Sequence, residues 1–554
     1  MSSDVSRSQE QVGGYDVVVL GSGAAALAAA VAARGHGAER VGVFEKADVV
    51  GGTSAMSGGM IWIPCNHHMD AAGAPDARAE ALRYLDSLSH DRIVPELAEA
   101  YVDTGPEMLR WFEDHTPVVF EIVESFPDYH PEHPGACREG GRSLECPLFA
   151  FGELGEWQHR VSQSRQMSAH LLMNETTLGR GAHTSIAPGV LDERKAADLR
   201  GCGQALIGRL LKACLDHGVE LHTGHRAAGF DVIDGRVAGV RFDTADGDVT
   251  IEASGGVILA TGGFEWNPAM VRDFIRGPME RPASIETNTG DGLTMSMRIG
   301  AALGNMQEAW WVPVIDVTND DGDEIPWMIN RERVQPRSIM VNAAGKRFAN
   351  EAANYNAFGA AFHRLDAGSF TYENMPSWLL FDQPYLVKSG LARYRGEGPV
   401  PDWLHAADSL PELADDLGID GAQLVETVER WNAQVADLDD PDFGRGRSIN
   451  DTHWGDGTRT PAATLGPIDT GPFYAVQVRP GALGTKGGPR TTGDAQVLDV
   501  DGNVIEGLYA AGNVMASAMG MTYGGAGGTL GPGMVFGFAA GRHAARRVSS
   551  EVPA

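Results

Sequence analysis

The first strong pattern along the chain is a short apolar run at residues 17–20 (VVVL), long enough for one buried strand and too short for a buried helix. The turn GSGAAA follows, and an alanine-rich stretch then predicts a helix to about Arg34, stopped by Gly35 and Gly37. Residues 40–44 (RVGVF) predict a second strand with Glu45 at its C-terminal end. Leucines set among charges over residues 78–113 predict helices. The prolines of FPDYHPEHPG exclude a regular helix there, so Tyr129 is expected on an irregular loop. Further on, a helix is predicted from Gly203 to about His217, a strand at 218–222, and a hairpin around Asp234-Gly235. GVILATGG at 256–263 reads as a buried strand ending in small residues. Near the C-terminus LYAAGN reads as another strand running into a loop, and residues 529–533 should open the last helix.

The first strand, turn, helix and second strand form a βαβ unit with a dinucleotide fingerprint. Gly21 allows the tight turn, Gly23 lets the backbone approach a pyrophosphate, and Ala26 takes the third position, where a small residue permits close helix–strand packing. The helix N-terminus offers free N–H groups to phosphates. Glu45, about twenty residues on, can accept from a ribose hydroxyl.

The chain has 554 residues, enough for two or more domains. Its formal charge of -30 makes it a poor candidate for binding nucleic acid or anionic membrane surfaces. Five cysteines without a CxxC predict neither a disulfide framework nor a zinc site, which fits a reducing, cytoplasmic compartment. The polar segment 1–14 lacks a basic n-region and is not expected to be a signal peptide. Two phosphate-loop glycines and the shortness of 17–33 argue against an integral membrane segment. From about residue 284 the composition changes, and Asp291 in ETNTGDG is expected to face the cofactor. The paired Trp310 and Trp311 read as core or interface. The expected organisation is 13–283 as the first part of a nucleotide-binding domain, 284–482 as an inserted domain, and 483–554 as its return.

GGTSAMSGG at 51–59 resembles the second flavin-binding stretch of the fumarate reductase/succinate dehydrogenase flavoprotein superfamily, which argues for FAD over NAD. With MTYGGAGGTLGPG at 521–533, nearly the whole chain resembles the FAD-dependent 3-ketosteroid dehydrogenases of the Δ1 type. That resemblance implies an α/β fold, a Rossmann-like FAD-binding domain with an inserted α+β catalytic cap. It places Gly21, Ser22, Gly23, Ala25, Ala26, Glu45 and Lys46 at the cofactor, with Gly52, Thr53, Ser54, Gly58 and Gly59 from the second stretch. Ala260, Thr261, Gly262, Asp291, Gly512, Asn513, Gly528, Thr529 and Leu530 complete that set.

The resemblance also assigns the chemistry. Tyr523 and the Gly527 N–H match the groups that bind the C3 carbonyl, Tyr355 matches the tyrosine that takes the C2 proton, and Tyr129 matches a supporting tyrosine. The hydride from C1 goes to flavin N5. Fumarate reductases carry an arginine at the Tyr355 spacing after the glutamate of RF-x-NE, and a histidine in the C-terminal glycine stretch, and this chain has neither. A dianionic substrate needs fixed positive charge, so a small neutral apolar ketone, a steroid, is the implied substrate. Gly524 stands where the family pattern has proline, which keeps another cyclic ketone or Δ4 chemistry open. Behind these stand a fumarate- or urocanate-type ene-reductase, disfavoured by Tyr355, and a flavin-binding protein without redox turnover. With one dinucleotide fingerprint evident, an external acceptor is expected to take the electrons. Two hydrogen bonds to the carbonyl oxygen stabilise the enolate. A tyrosine base has an ordinary pKa of about 10, and its surroundings are expected to lower it.

Overall fold

The structure, a computed structural model, describes residues 14–164, 166, 168–179, 186–319 and 321–551. The segment ahead of Gly14, expected not to be a signal peptide, lies outside the described residues, as do residue 13 and residues 552–554 of the expected domain ends.

Strand β1 (Tyr15–Leu20) is buried along almost its whole length, as a central strand of a parallel sheet must be. Helix α1 (Ala24–Gly35) and β2 (Val41–Phe44) complete the first unit. Helix α2 (Pro95–His115) and helix α3 (Cys202–Asp216) follow, then β3 (Glu220–His222), the hairpin β4 (Arg226–Ile233) and β5 (Arg236–Thr244), and β6 (Gly247–Leu259). Helix α4 (Asp291–Arg298) leads to β7 (Ala309–Thr318), β8 (Glu324–Met328) and β9 (Ser338–Asn342). Then come helix α5 (Tyr355–Phe362), β10 (Ser377–Asp382), β11 (Phe473–Thr485), β12 (Gln496–Leu498), β13 (Val504–Ala510) and helix α6 (Leu530–Glu551).

The first sheet has the order β12-β13-β6-β1-β2-β3. Neighbours from β13 to β3 run parallel, and β12 is antiparallel at the edge. Strand β6 begins at Gly247, earlier than the sequence pattern predicts, because its two halves do different work. Its first half pairs antiparallel with β5, Val240 opposite Ile251, and its last residues run parallel to β1, Leu20 opposite Leu259. The first half is therefore half-exposed and polar, and carries no buried-strand signal.

The alanines of α1 are buried because α6 lies directly on them. A Cβ at Gly537 would stand 2.3 Å from the Ala25 carbonyl oxygen, and one at Gly541 2.1 Å from that of Ala29. Only glycine allows that approach, and it holds both helix N-termini over the same cavity.

The second sheet, β8-β7-β11-β10-β9, is antiparallel along this path. Alternate residues of β10 fill opposite cores: Leu379 and Phe381 pack with Phe358 and Val476, and Trp378 and Leu380 with Leu424 and Trp431. Strand β11 runs past residue 482 to Thr485, delivering Lys486 beneath the C-terminal glycine loop.

Candidate active site

At the β1–α1 turn Gly21 takes φ +100, a conformation that favours glycine. Ser22 Oγ donates to Glu45 Oε2 at 2.6 Å and accepts from the Gly51 N–H at 3.0 Å. Ser54 Oγ accepts from the Ala24 N–H at 3.2 Å, so the 51–59 stretch is tied to the helix N-terminus. One cavity runs along this turn. Gly21, Ser22, Gly23, Ala25, Glu45, Lys46, Gly52, Thr53, Ser54, Gly58 and Gly59 line it, and Ala260, Thr261, Gly262, Asp291, Gly512, Asn513, Thr529 and Leu530 close it from the other elements.

Two of the expected cofactor residues do not line the cavity. Ala26 is fully buried in the helix packing, the place its small side chain predicts. Gly528 lies behind Tyr523, where a Cβ would stand 3.1 Å from the ring. Asp291 lines the cavity with its carboxylate engaged by Lys46 at 2.9 Å and Arg226 at 3.0 Å. Burial pushes that carboxyl up, and the two cations outweigh it and hold it below the usual carboxylate range.

The donor set fits FAD. A small-residue cradle runs beside two helix N-termini, a carboxylate stands at the end of β2, and Thr261 Oγ1 is buried without a protein partner. Gly21, Gly23 and Ala25 are suited to the pyrophosphate and Glu45 to the ribose.

At the other end of the same cavity three tyrosines face one another. Tyr129 Oη donates to Tyr355 Oη at 3.2 Å. The ring centroids are 5.5 Å apart for Tyr129–Tyr355, 5.2 Å for Tyr129–Tyr523 and 5.5 Å for Tyr355–Tyr523. Each phenol comes from a different element. Tyr129 sits on its loop with its N–H bonded to the Gly524 carbonyl at 3.0 Å, an acceptor shared with Tyr84 Oη. Tyr355 is the first residue of α5, whose cap Asn354 accepts from the Asn356 N–H at 2.7 Å and reaches the Tyr523 carbonyl with its amide nitrogen. Upstream, Glu351 is locked between Arg347 at 2.7 Å and Arg445 at 3.2 Å. Burial raises that carboxyl, yet the Arg347 guanidinium brings it down to about 2, so the anchor of the Tyr355 segment stays charged.

Tyr523 is held from behind. Lys486 Nζ donates to the Met521 and Thr522 carbonyls at 2.9 and 2.8 Å and lies 4.1 Å from the Trp310 ring centroid. Trp310 packs edge-on to Tyr523 at 4.8 Å, so the tryptophan pair divides: Trp310 supports the site and Trp311 is core. Burial lowers Lys486 to about 7. Thr529 Oγ1 donates to Tyr523 Oη at 3.1 Å, leaving the phenol hydrogen available to a carbonyl oxygen. Gly527 has φ +98, and a Cβ there would stand 2.5 Å from the Ile61 carbonyl carbon. Its N–H has no hydrogen-bond partner among the described residues and lines the cavity.

The acidities run opposite to the expected lowering. Burial pushes Tyr129 and Tyr355 well above the ordinary phenol value and raises Tyr523 as well. No cation among the described residues pairs with these hydroxyls, so desolvation wins.

The FAD binding domain family matches residues 16–530. The chain belongs to this flavoprotein family. It is 43% identical to the 4-oxocyclohexanecarboxylate 2-dehydrogenase of Sinomonas cyclohexanicum, over 95% of this chain and 92% of that one. It is 38% identical to a 3-oxosteroid 1-dehydrogenase of Mycolicibacterium smegmatis, over 95% and 96%. The 3-ketosteroid Δ1-dehydrogenase of Sterolibacterium denitrificans, solved with 1,4-androstadiene-3,17-dione, superposes with a TM-score of 0.89 at 33% identity, covering 97% of this chain and 100% of that one. The flavoprotein's cofactor is FAD, and the enzyme is an oxidoreductase acting on CH–CH groups. Among its described residues no helix is long and apolar enough to cross a membrane.

Sequence reasoning missed the far wall of the cavity: Gln166, Met173, Leu178, Met328, Asn330, Arg331, Glu332 and Trp454. Trp454 stands 6.1 Å from Tyr355 and 6.2 Å from Tyr129. These residues come from short, separate segments, among them the end of β8 and a helix of six residues ending at Trp454, with no repeat or glycine signature to mark them.

Proposed function

We propose that this flavoprotein introduces a C=C bond beside a ring ketone, with a 3-oxosteroid dehydrogenated at C1–C2 as the leading substrate reading. The observation that carries it is the meeting of three phenols beside an unpaired Gly527 N–H in a cavity continuous with the glycine turn. In this reading Tyr523 Oη and the Gly527 N–H hold the carbonyl oxygen, and both bonds strengthen as it gains enolate charge. Tyr355, as its phenolate, takes the proton from C2 and becomes the phenol, and Tyr129 Oη, donating at 3.2 Å, steadies the phenolate before that transfer. FAD, when bound, supplies the acceptor for the hydride from C1, and its electrons leave to an external acceptor. The apolar rings and chains of Trp454, Met173 and Met328 exclude water from the reacting end. The segment 284–482, which carries most of the second sheet, is assigned as the catalytic cap over the FAD-binding layer. The same chemistry serves a single-ring ketone, the substrate class in the name of the 43% identical relative.

The test is anaerobic. A 3-oxosteroid should bleach the flavin of the purified enzyme, and turnover with an artificial acceptor should yield the 1,2-unsaturated product. Failure of every cyclic ketone to bleach it overturns the reading.

Two further outcomes follow from the geometry. Tyr523→Phe should lower kcat by about 10², the lower part of the range for one oxyanion donor, because the Gly527 N–H remains. Since burial raises Tyr355, the phenol is the dominant form at pH 7 and the phenolate fraction grows about tenfold per pH unit below its pKa. The rate of proton abstraction should therefore climb from pH 7 to pH 10. A flat profile over that window counts against Tyr355 acting as a phenolate base.

A further inference from the structure

Asn330 and Arg331 follow strand β8 and line the same cavity as the three tyrosines. Arg331 is the more informative of the two. Its guanidinium makes no hydrogen bond or ion pair among the described residues, and its Nε is buried without a partner. The neighbouring Arg333 also leaves its Nε without a partner, but both of its terminal nitrogens donate to protein, to the Glu351 and Ala353 carbonyls. Glu332, the adjacent acid, attracts Arg331 but only partly offsets its desolvation. It forms no ion pair within 4.0 Å, it accepts from Trp327 Nε1 at 3.3 Å, and burial pushes its carboxyl up. The other charges near Arg331 are Arg395 and Asp456, and Asp456 is already paired with Lys388 at 2.8 Å. The Asn330 amide oxygen is likewise buried without a partner.

The surroundings make this costly. Met173, Leu178, Met328 and Trp454 give the cavity wall an apolar face here. The Gln166 amide bonds the Met328 backbone on both sides, donating one N–H at 2.8 Å and accepting at 3.2 Å. Desolvation accordingly lowers Arg331. A hydrocarbon end of a ligand would complete the burial of an unpaired cation, which is strongly unfavourable. A carboxylate matches the guanidinium fork, and an amide turned over at Asn330 adds a donor.

We infer that Arg331, with Asn330, forms a carboxylate-binding end of the substrate pocket, so that the ketone this enzyme dehydrogenates is an oxo-acid. The inference rests on the ring-ketone reading above. Gln335 Nε2 donates to the Arg331 and Trp454 carbonyls at 3.1 Å each, so the cation is tied to the tryptophan that borders Tyr355 and Tyr129. The acid is supplied by a one-ring 4-oxocyclohexane carboxylic acid or by a 3-oxosteroid with a side-chain carboxylate, and the recognition chemistry is the same.

The experiment uses the full-length FAD-loaded enzyme and four probes: each of those two acids and its methyl ester. One acid should exceed its ester at least about tenfold in kcat/KM, the scale of one charged hydrogen-bonded contact. The same acid should bind more tightly than its ester in flavin difference spectra, a readout independent of turnover. Arg331→Gln should reduce the acid-to-ester ratio about tenfold or more, and Arg331→Lys should retain part of it. Which acid is preferred identifies the source. Equal handling of acids and esters by the wild type, or an undiminished ratio in Arg331→Gln, overturns the inference while turnover of the esters leaves the dehydrogenase reading standing. If no acid, ester or neutral ketone is dehydrogenated, that reading fails and the inference falls with it.

Discussion

Tyr355→Phe should lower dehydrogenation by about 10³–10⁴, the upper part of the range for a positioned general base. The substitution removes one oxygen and keeps the ring, so the 5.5 Å packing against Tyr129 and Tyr523 is retained. The lost hydrogen bond from Tyr129 costs about 1 kcal/mol of stability, too little to unfold the protein. FAD binding should persist, because the glycine turn and Glu45 stand at the other end of the cavity. Proton exchange separates a base from a positioning role. In D₂O the wild type should exchange the proton beside the ketone wherever enolate formation is reversible, and Tyr355→Phe should lose that exchange together with turnover. Exchange at the wild-type rate in Tyr355→Phe would remove Tyr355 from this role and pass it to Tyr129, which shares the hydrogen bond and the burial.

How much of this was legible depends on whether the signal is local. The turn after β1 could be read because glycine spacing, helix and strand occupy consecutive residues, and the Asp234-Gly235 hairpin for the same reason. Strand β6 was only half legible: its antiparallel half faces β5 and solvent, and only the half flanked by β1 and β13 is apolar enough to show. The tyrosines came from resemblance, and no spacing in the chain relates 129, 355 and 523. Their meeting is set by Gly524, whose carbonyl takes the Tyr129 N–H, and by Asn354, which caps α5 and bonds the Tyr523 carbonyl. Their acidity departs from the expected lowering for a physical reason. A sequence shows that hydroxyls are present, but not that all three are buried together without a cation. Arg331 was invisible for the opposite reason. In INRERVQP nothing distinguishes it from Arg333, and both leave Nε without a partner; among the described residues only the terminal nitrogens, bonded to carbonyls in Arg333 and to nothing in Arg331, separate the two.

Gly21→Ala should yield a protein that purifies without its yellow cofactor. Gly21 takes φ +100, and a Cβ there would stand 2.3 Å from the Ala260 carbonyl oxygen. That neighbour is backbone at the end of β6, which pairs with β1 through Leu20 and Leu259, so it cannot step aside like a flexible side chain. The Gly21 N–H is also fixed, donating to the Phe44 carbonyl at 2.8 Å. Relief therefore comes only from parting the ends of β1 and β6, where Ala260, Thr261 and Gly262 enter the cavity. The turn would then no longer hold its N–H groups at pyrophosphate distance. Flavin content, read as the ratio of flavin to protein absorbance, should fall below about a tenth of the wild-type value, matching a loss of at least roughly 1.4 kcal/mol in binding under limiting flavin. The control is Gly235→Ala in the hairpin turn, with φ +81 and nothing within 4 Å of an added Cβ. It imposes a left-handed backbone cost of about 1–2 kcal/mol of the same kind and should keep the flavin. Denaturing the wild type should release free FAD, because no attachment histidine stands in GGTSAMSGG. A Gly21→Ala protein with a full complement of FAD would move the pyrophosphate away from this turn.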